Sequence, residues 1–303
     1  MTGGQGDPDL GPALAELGDD EYDWIASPYA DSESLQQVGD LLGDVSGRWS
    51  WASQKYGHYL SVHNGTVGAL SSLGGGLNDQ HVSIFPCRRF QSAPWEVAGA
   101  LGGRVAAMLQ SPPNLSRPLQ TVSLIGIEGP RASGAILTMT DRQTLYYDGI
   151  SGYHVRRDGT VCIDRLVTTY QSNLWGDQDA TYLDVETMAQ TMFGIRYLRQ
   201  KATSTHGRQA LADLNPGRLP HITTPENVRN TLIHGYHELV RLGVFENADL
   251  FARDVRVERD PLDANRINAS LPLDHVNQLR ILAVSAVNHL QRRGPGADIL
   301  NAA

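Results

Sequence analysis

Residues 155–171, VRRDGTVCIDRLVTTYQ, contain two short runs of apolar and β-branched residues folded about Asp158-Gly159. An Asp-Gly pair between such runs is a strong local hairpin signal. Glycine supplies the positive φ of a tight turn, and the aspartate side chain bonds the backbone just ahead of it. More extended chain follows the second run than a hairpin needs. The stretch either frames an active site or ties other elements together, and the chemistry available elsewhere in the chain decides between them.

On its N-terminal side, helical and strand patterns alternate from residue 8 to about residue 150. Pro8–Leu17 reads as a short helix, Tyr22–Ser27 as a buried strand, Ser32–Leu42 as a helix, and Tyr56–His63 and His81–Phe85 as extended. Pro94 opens a helix to Leu109 whose Val97, Leu101, Val105 and Met108 share one face. Gln110–Pro118 is a proline-rich connector, Thr121–Ile127 a last apolar strand, and Leu137–Ile150 a helix ended by Gly149. Strands separated by helices predict an α/β layer with a largely parallel sheet.

Beyond Gln171 the grammar changes. The polar, glycine-containing linker 172–180 separates residues 1–171 from residues 181–303. Val185, Met188, Met192, Ile195 and Leu198 recur at helical spacing over Leu183–Lys201. Thr224 is placed to cap a second helix, with Pro225 at its first position and Gly243 at its end. Its apolar face is Val228, Leu232, Tyr236 and Leu239. Val255–Arg259 and Arg266–Leu271 alternate around DPLDAN and predict an antiparallel hairpin. The segment Asp274–Gln291 is ambiguous: Val276, Leu279, Ala283 and Val287 suit a helix, whereas Leu279, Ile281 and Ala283 alternate like a strand.

Composition narrows the function classes. The 303 residues are 41% hydrophobic and 19% charged, ordinary for a folded soluble protein. A net charge of −8, with basic residues scattered among acidic ones, disfavours nucleic acid as a partner. No run of 18 apolar residues is present, so no membrane is implied. Cys87 and Cys162 have no metal-finger spacing, and Cys162 in the hairpin reads as a small buried apolar residue, which fits a reducing cytoplasm.

Each candidate site falls short of the chemistry it would need. Ser61–Gly68 (SVHNGTVG) resembles the base-bearing segment of subtilisin-like proteases, but Asn64 separates His63 from Gly65 and no G-x-S-x-G nucleophile turn exists. His234 and His237 lie three apart without a third metal ligand, and no HExxH is formed. The glycines at 74–76 and 102–103 lack the Lys-Ser/Thr or strand-GxGxxG-helix context of a phosphate cradle, so no cofactor is expected. Trp49 and Trp51 read as buried against a neighbouring element. The expectation is a structural or assembly role rather than catalysis, with a subtilisin-like serine hydrolase as the rival.

Several stretches, in order along nearly the whole chain, carry a resemblance to a known family: GDPDLGPALAELGDDEYDWIASPYAD, SGRWSWASQKYGH, RPLQTVSLIGI, LYYDGISGYHVRRDGTVCIDRLVTTYQ, TYLDVETM and VERDPLDANRINASLPLDHVNQLRILAV. The chain resembles the tail sheath proteins of contractile-tailed phages, nearest to those of Mu-like phages, with R-type pyocin sheaths more distant. Members of the family are longer at the N-terminus, so the chain looks like the C-terminal portion of a sheath without the N-terminal arm and outer domain.

The resemblance implies an α/β fold: a partial, subtilisin-like core domain without a catalytic triad over 1–171, then an α+β C-terminal domain over 181–303 with two long helices, a hairpin and a linking arm. It implies no enzyme and no cofactor. It implies a homo-oligomeric helical polymer around a tail tube protein, with baseplate and tail terminator proteins as further partners, and contraction that drives genome delivery. The implied location is the virion tail, with host cytoplasm during assembly. A sheath component of a pyocin-like or other contractile injection system is the near alternative.

Residues 155–171 would then join core to C-terminal domain. The subunit-linking strand would run from Asn277 to Val287 through Leu279, Arg280, Ile281, Ala283 and Ser285. The acceptor hairpin would present Val255, Val257, Ile267, Ala269 and Leu271. The helix from Pro225 would face the tube with Glu226, Arg229, His234, Glu238 and Arg241.

Overall fold

The computed structural model describes residues 6–286 and 288. Three strands, β1 (Trp24–Ser27), β2 (His58–His63) and β3 (Val82–Pro86), form a parallel sheet in that order, with Trp24 opposite His58 and Tyr59 opposite Val82. Every residue of β3, and all of β2 but His63, is buried, as expected of a parallel sheet covered on both faces. Between the strands run α2 (Ser32–Leu42) and α3 (Val67–Gly75), after a short α1 (Gly11–Ala15); α4 (Pro94–Met108) then lies along β1 and β2. Asp31 accepts from the Ser34 amide to cap α2, and Thr66 accepts from the Ala69 amide to cap α3. Of the three glycines at 74–76 only Gly74 is needed for close packing: a Cβ there would overlap the Asp148 carbonyl, whereas one on Gly75 would meet nothing.

The hairpin of residues 152–165 docks on the free edge of β3. β4 (Gly152–Val155) and β5 (Val161–Arg165) pair antiparallel, with Val155 opposite Val161. Asp158 Oδ1 accepts from the Thr160 amide at 2.9 Å, and Gly159 adopts φ +86°. Ser151 N donates to Ile84 O and Thr169 N to Val82 O, so chain on both sides of the hairpin is stitched to β3. The preceding α5 (Met139–Tyr147) carries a capping box between Thr138 and Asp141. One expected strand is not regular. Residues 121–127 lie beside β5 through Thr121 N to Ile163 O and Leu124 N to Val161 O, but only Ser123 forms a bridge, with Cys162. Positive φ at Thr121 (+71°) and Gly126 (+80°) bends the backbone out of register at both ends.

The linker is a braced turn rather than loose chain. Asn173 Oδ1 accepts from the Trp175 and Asp177 amides, and Asn78 bonds Gln171 and Ser172. After it come α6 (Val185–His206), longer than the apolar pattern indicated, and α7 (Pro225–Arg241), which pack on each other. A two-residue parallel pair, β6 (Ala210–Leu211) with β7 (Ile222–Thr223), ties down the loop between them. A further helix, α8 (Ala248–Asp254), precedes the antiparallel pair β8 (Arg256–Arg259) and β9 (Ile267–Ser270). One contiguous cluster of buried apolar side chains runs from Leu10 to Val255, so both halves of the chain share a core. No described helix is long and apolar enough to cross a membrane.

Two histidines, His58 fully buried and His275 half-buried, are held neutral. His58 contacts Ser83 Oγ at 2.8 Å and meets Trp24 edge-on; burial, aided by repulsion from His81, pushes it down to about 3. His275 lies edge-on to Phe245, and burial lowers it to about 4. As pH falls through 6.5, the ordinary value, the unfolded chain gains both protons while the folded chain refuses them until about 4 and 3. Stability present above 6.5 is therefore lost on acidification, by about 1.4 kcal/mol per pH unit for each ring. Urea midpoints should be lower at about pH 5 than at about pH 7, and His58→Gln should flatten the slope by about one proton. Midpoints independent of pH across that interval would contradict the assignment.

Candidate functional site

The hairpin β8–β9 forms because alternating residues flank a turn organised by one carboxylate. Asp260 Oδ1 accepts from the Leu262 and Asp263 amides at 2.8 and 2.9 Å, and its Oδ2 accepts from Asn268 Nδ2 at 2.8 Å. These bonds, that from Asn268 foremost, hold its carboxyl below the ordinary range. Val257 and Ile267 are half-buried against the core, and Ala269 is exposed. Two expected members stand outside the strands. Val255 is buried at the C-terminal end of α8, where its amide bonds Phe251 O, and Leu271 lies half-buried just past β9. Among the described residues this sheet has two strands only, so each carries an outer edge without a ladder partner.

The terminal segment divides sharply at Arg280. Residues 274–280 are strapped to the body. Asp274 N donates to Tyr236 Oη at 3.1 Å, Glu246 N to Asp274 O at 2.9 Å, and Phe245 bridges His275. On α6, Gln190 Nε2 donates to Val276 O at 2.9 Å and to Ser116 Oγ at 2.8 Å. Arg280 then turns inward, with Nη2 at 2.9 Å from Asp184 and 3.1 Å from Glu186. Asp184 is also gripped by Arg165 at 2.8 and 3.0 Å. Glu186 has no solvent exposure and accepts from the Leu119 amide at 2.8 Å. Burial raises its carboxyl, and Arg280 works against that rise.

Beyond the clamp the chain turns outward. Ile281, Leu282, Ala283, Val284 and Ser285 are exposed, with no helix through Ile281 and no ladder pairing up to residue 286. Of the residues expected in the strand from Asn277, Arg280 is drawn inward in the single chain. Arg280 is an internal anchor because two carboxylates lie beneath it. Asn277 and Leu279 are exposed on the strap, and Val287 lies outside the described residues.

The five polar residues of α7 do not form one exposed face. Glu226, His234 and Arg241 are exposed. Arg229 is half-buried and donates to Val255 O and Ala252 O, because the carbonyls at the end of α8 lie against it. Glu238 is half-buried, accepting from Tyr197 Oη at 2.6 Å and Lys201 Nζ at 2.8 Å, and the Lys201 bond holds its carboxyl below the ordinary range. Among the described residues no three His, Cys, Asp or Glu side chains are grouped to hold a metal ion. The residues that reading the sequence missed are the buried polar ones on α6: Glu186, Gln190 and Thr191. Their only signal was polar residues at i, i+4 and i+5 inside an otherwise apolar helical pattern.

Two family models match the chain, the phage tail sheath protein central domain over residues 3–169 and the phage tail sheath C-terminal domain over residues 177–287. The chain is 31% identical over 288 residues to the Mu-like prophage FluMu tail sheath protein of Haemophilus influenzae, covering 93% of this chain and 57% of that relative. It thus spans little more than half of that relative's length. Its fold is similar to the contracted helical sheath of the anti-feeding prophage, with TM-score 0.58 at 12% identity over 94% of this chain and 76% of that one. It is similar also to the sheath tail protein of Listeria innocua, with TM-score 0.57 at 14% identity over 87% of this chain and 55% of that one. A third neighbour, the sheath tail protein of Desulfitobacterium hafniense, gives TM-score 0.55 at 11% identity over 87% and 58%. The chain belongs to the phage tail sheath protein family.

Proposed function

We propose that the chain is the core and C-terminal portion of a contractile tail sheath subunit, which polymerises helically around a tail tube and contracts to drive genome delivery. The observation that carries this is one chain holding both halves of a joint. An exposed apolar arm leaves the body after Arg280, and the hairpin β8–β9 has outer edges without ladder partners among the described residues. Extended chain added to such an edge gains main-chain hydrogen bonds, with alternate side chains supplying specificity. A segment that cannot satisfy its own polar backbone thereby links to a neighbouring copy. The anti-feeding prophage neighbours are described as a contracted sheath and as a baseplate, which supports the same reading and also fits a sheath in a non-phage injection system.

The remaining parts follow from this reading. Residues 1–171 act as a central domain of subtilisin-like topology without a triad, 172–180 as the linker, and 181–303 as the linking domain. His63 ends a parallel strand with Asn64 between it and Gly65, and the protein works without catalysis or cofactor. Glu226, His234 and Arg241 are the residues of α7 open to a tail tube protein, and baseplate and terminator proteins meet the ends of the polymer. The subunit works in the virion tail after assembly in the host cytoplasm.

Deleting the chain from Ile281 onward should abolish tubes in electron micrographs while the thermal melt stays within a few degrees of the unaltered protein; tubes of normal length would refute the arm. Arg280→Ala leaves Glu186 buried without its cation and should destabilise the fold by about 3 kcal/mol or more, read from urea denaturation. A change under about 0.5 kcal/mol would remove the clamp from the account. Reversing Arg241 to Glu together with Glu226 to Lys should weaken co-sedimentation with tail tubes without affecting folding. Unchanged co-sedimentation would place the tube contact elsewhere. A fluorophosphonate probe should leave the protein unlabelled, and labelling lost on His63→Ala would restore the hydrolase reading.

A further inference from the structure

The outer edge of β9 borders a groove of about 670 Å3 between the hairpin, helices α6 and α7, and the loop that follows α2; Tyr56, Ile195, Leu232, Ile267 and Ala269 line it. Trp51 and Arg266 stand at the same groove, one on the loop and the other immediately before β9. The Arg266 guanidinium carbon lies 3.8 Å from the centroid of the Trp51 ring. The guanidinium is also aimed from behind: Nε donates to Asn268 Oδ1 at 2.8 Å and lies 3.5 Å from Asp260 Oδ2, and Asn268 and Asp260 are bonded to each other. A surface arginine held by two groups of its own turn and laid over an indole has been oriented before any partner arrives.

We propose that the Arg266–Trp51 stack is a latch that closes the β9 edge of the unassembled subunit, so that an incoming strand must displace it. This rests on the hairpin being the acceptor. A strand added to a sheet lies about 4.8 Å from its neighbour. We place that lane on β9 in the groove the strand shares with the Trp51 loop, across which the Arg266 guanidinium reaches the indole. An open apolar edge is a template for indiscriminate pairing, and a charged side chain drawn across it is one way to blunt it. A cation over an indole is strong enough to bias the edge toward closed and weak enough to yield to a row of main-chain hydrogen bonds. Trp51 keeps most of its surface in water even when stacked, so release exposes little further apolar area. The latch therefore delays pairing without preventing it.

The test uses a fluorescent peptide of residues 277–288 added to the purified protein, with anisotropy as the readout, and electron microscopy of tube formation run in parallel. Arg266→Ala and Trp51→Ala should each tighten peptide binding by about two- to fivefold, the range such a contact supports. The double variant should gain no more than either single one, because both remove the same contact. Trp51→Phe keeps an aromatic face and should return binding toward that of the unaltered protein; it also serves if Trp51→Ala fails to fold. Unchanged or weaker binding in the folded variants overturns the latch, as does a peptide that binds none of them. Tighter peptide binding by a protein that never forms tubes would leave the latch standing and sink the polymer reading.

Discussion

The structure depends on a cluster of four charges at the start of α6, three of them half-buried around the fully buried Glu186. Asp184 precedes the helix and Glu186 lies in its first turn, where the free amides favour negative charge. Two arginines from distant parts of the chain neutralise them, Arg165 from the end of β5 and Arg280 from the terminal strap. The second oxygen of Glu186 takes the Leu119 amide from the connector after α4. Four segments thus converge on one point, and each carboxylate there is compensated by a partner that another segment supplies. Burying such charges is expensive, so their presence argues for specificity of arrangement rather than for raw stability.

That convergence explains why two apparently separate halves behave as one body. Ser151 and Thr169, on either side of the hairpin, are bonded to β3, and Arg165 at the hairpin's end holds Asp184, so the sheet and the start of α6 are tied together. Gln190, one turn further on, extends the tie to Ser116 and Val276, and Ser116 Oγ in turn donates to Gly243 O at 2.6 Å. At the middle of α6, Arg196 pairs with Glu21 at 3.2 Å and with Asp23, binding the helix to the chain before β1. The first half of α6 is thus tied to the sheet-bearing half at two places, its start and its middle.

The contrast between the anchored strap and the exposed arm is the functional counterpart. Up to Arg280 the backbone spends its polar groups on the body, through Tyr236, Val244 and Gln190. Past Arg280 the side chains are apolar and exposed, with Ile281 and Val284 among them. Apolar residues at the free end of a polar strap have nothing of their own to cover them. A repeating assembly of identical subunits supplies such cover through heterologous contact, each copy giving to one neighbour and receiving from another.

Much of this was legible in the sequence. Asp158-Gly159, Thr224-Pro225 and the alternation around residues 260–265 are local signals, since turn and cap chemistry acts within three or four residues and needs no tertiary partner. The parallel sheet followed from strands alternating with helices, and the family from stretches matched in order. Non-local contacts decided the rest. Nothing near Arg280 in sequence says that two carboxylates 94 and 96 residues earlier lie beneath it. Arg229 and Glu238 fit an exposed helical face by spacing, yet the end of α8 and the side chains of α6 claimed them. Residues 121–127 had the apolar run of a strand, but positive φ at both ends broke its register. Periodicity reports which face of an element is apolar; which charge meets which is set only when distant segments share a low-dielectric site, where an unpaired ion is too costly to leave.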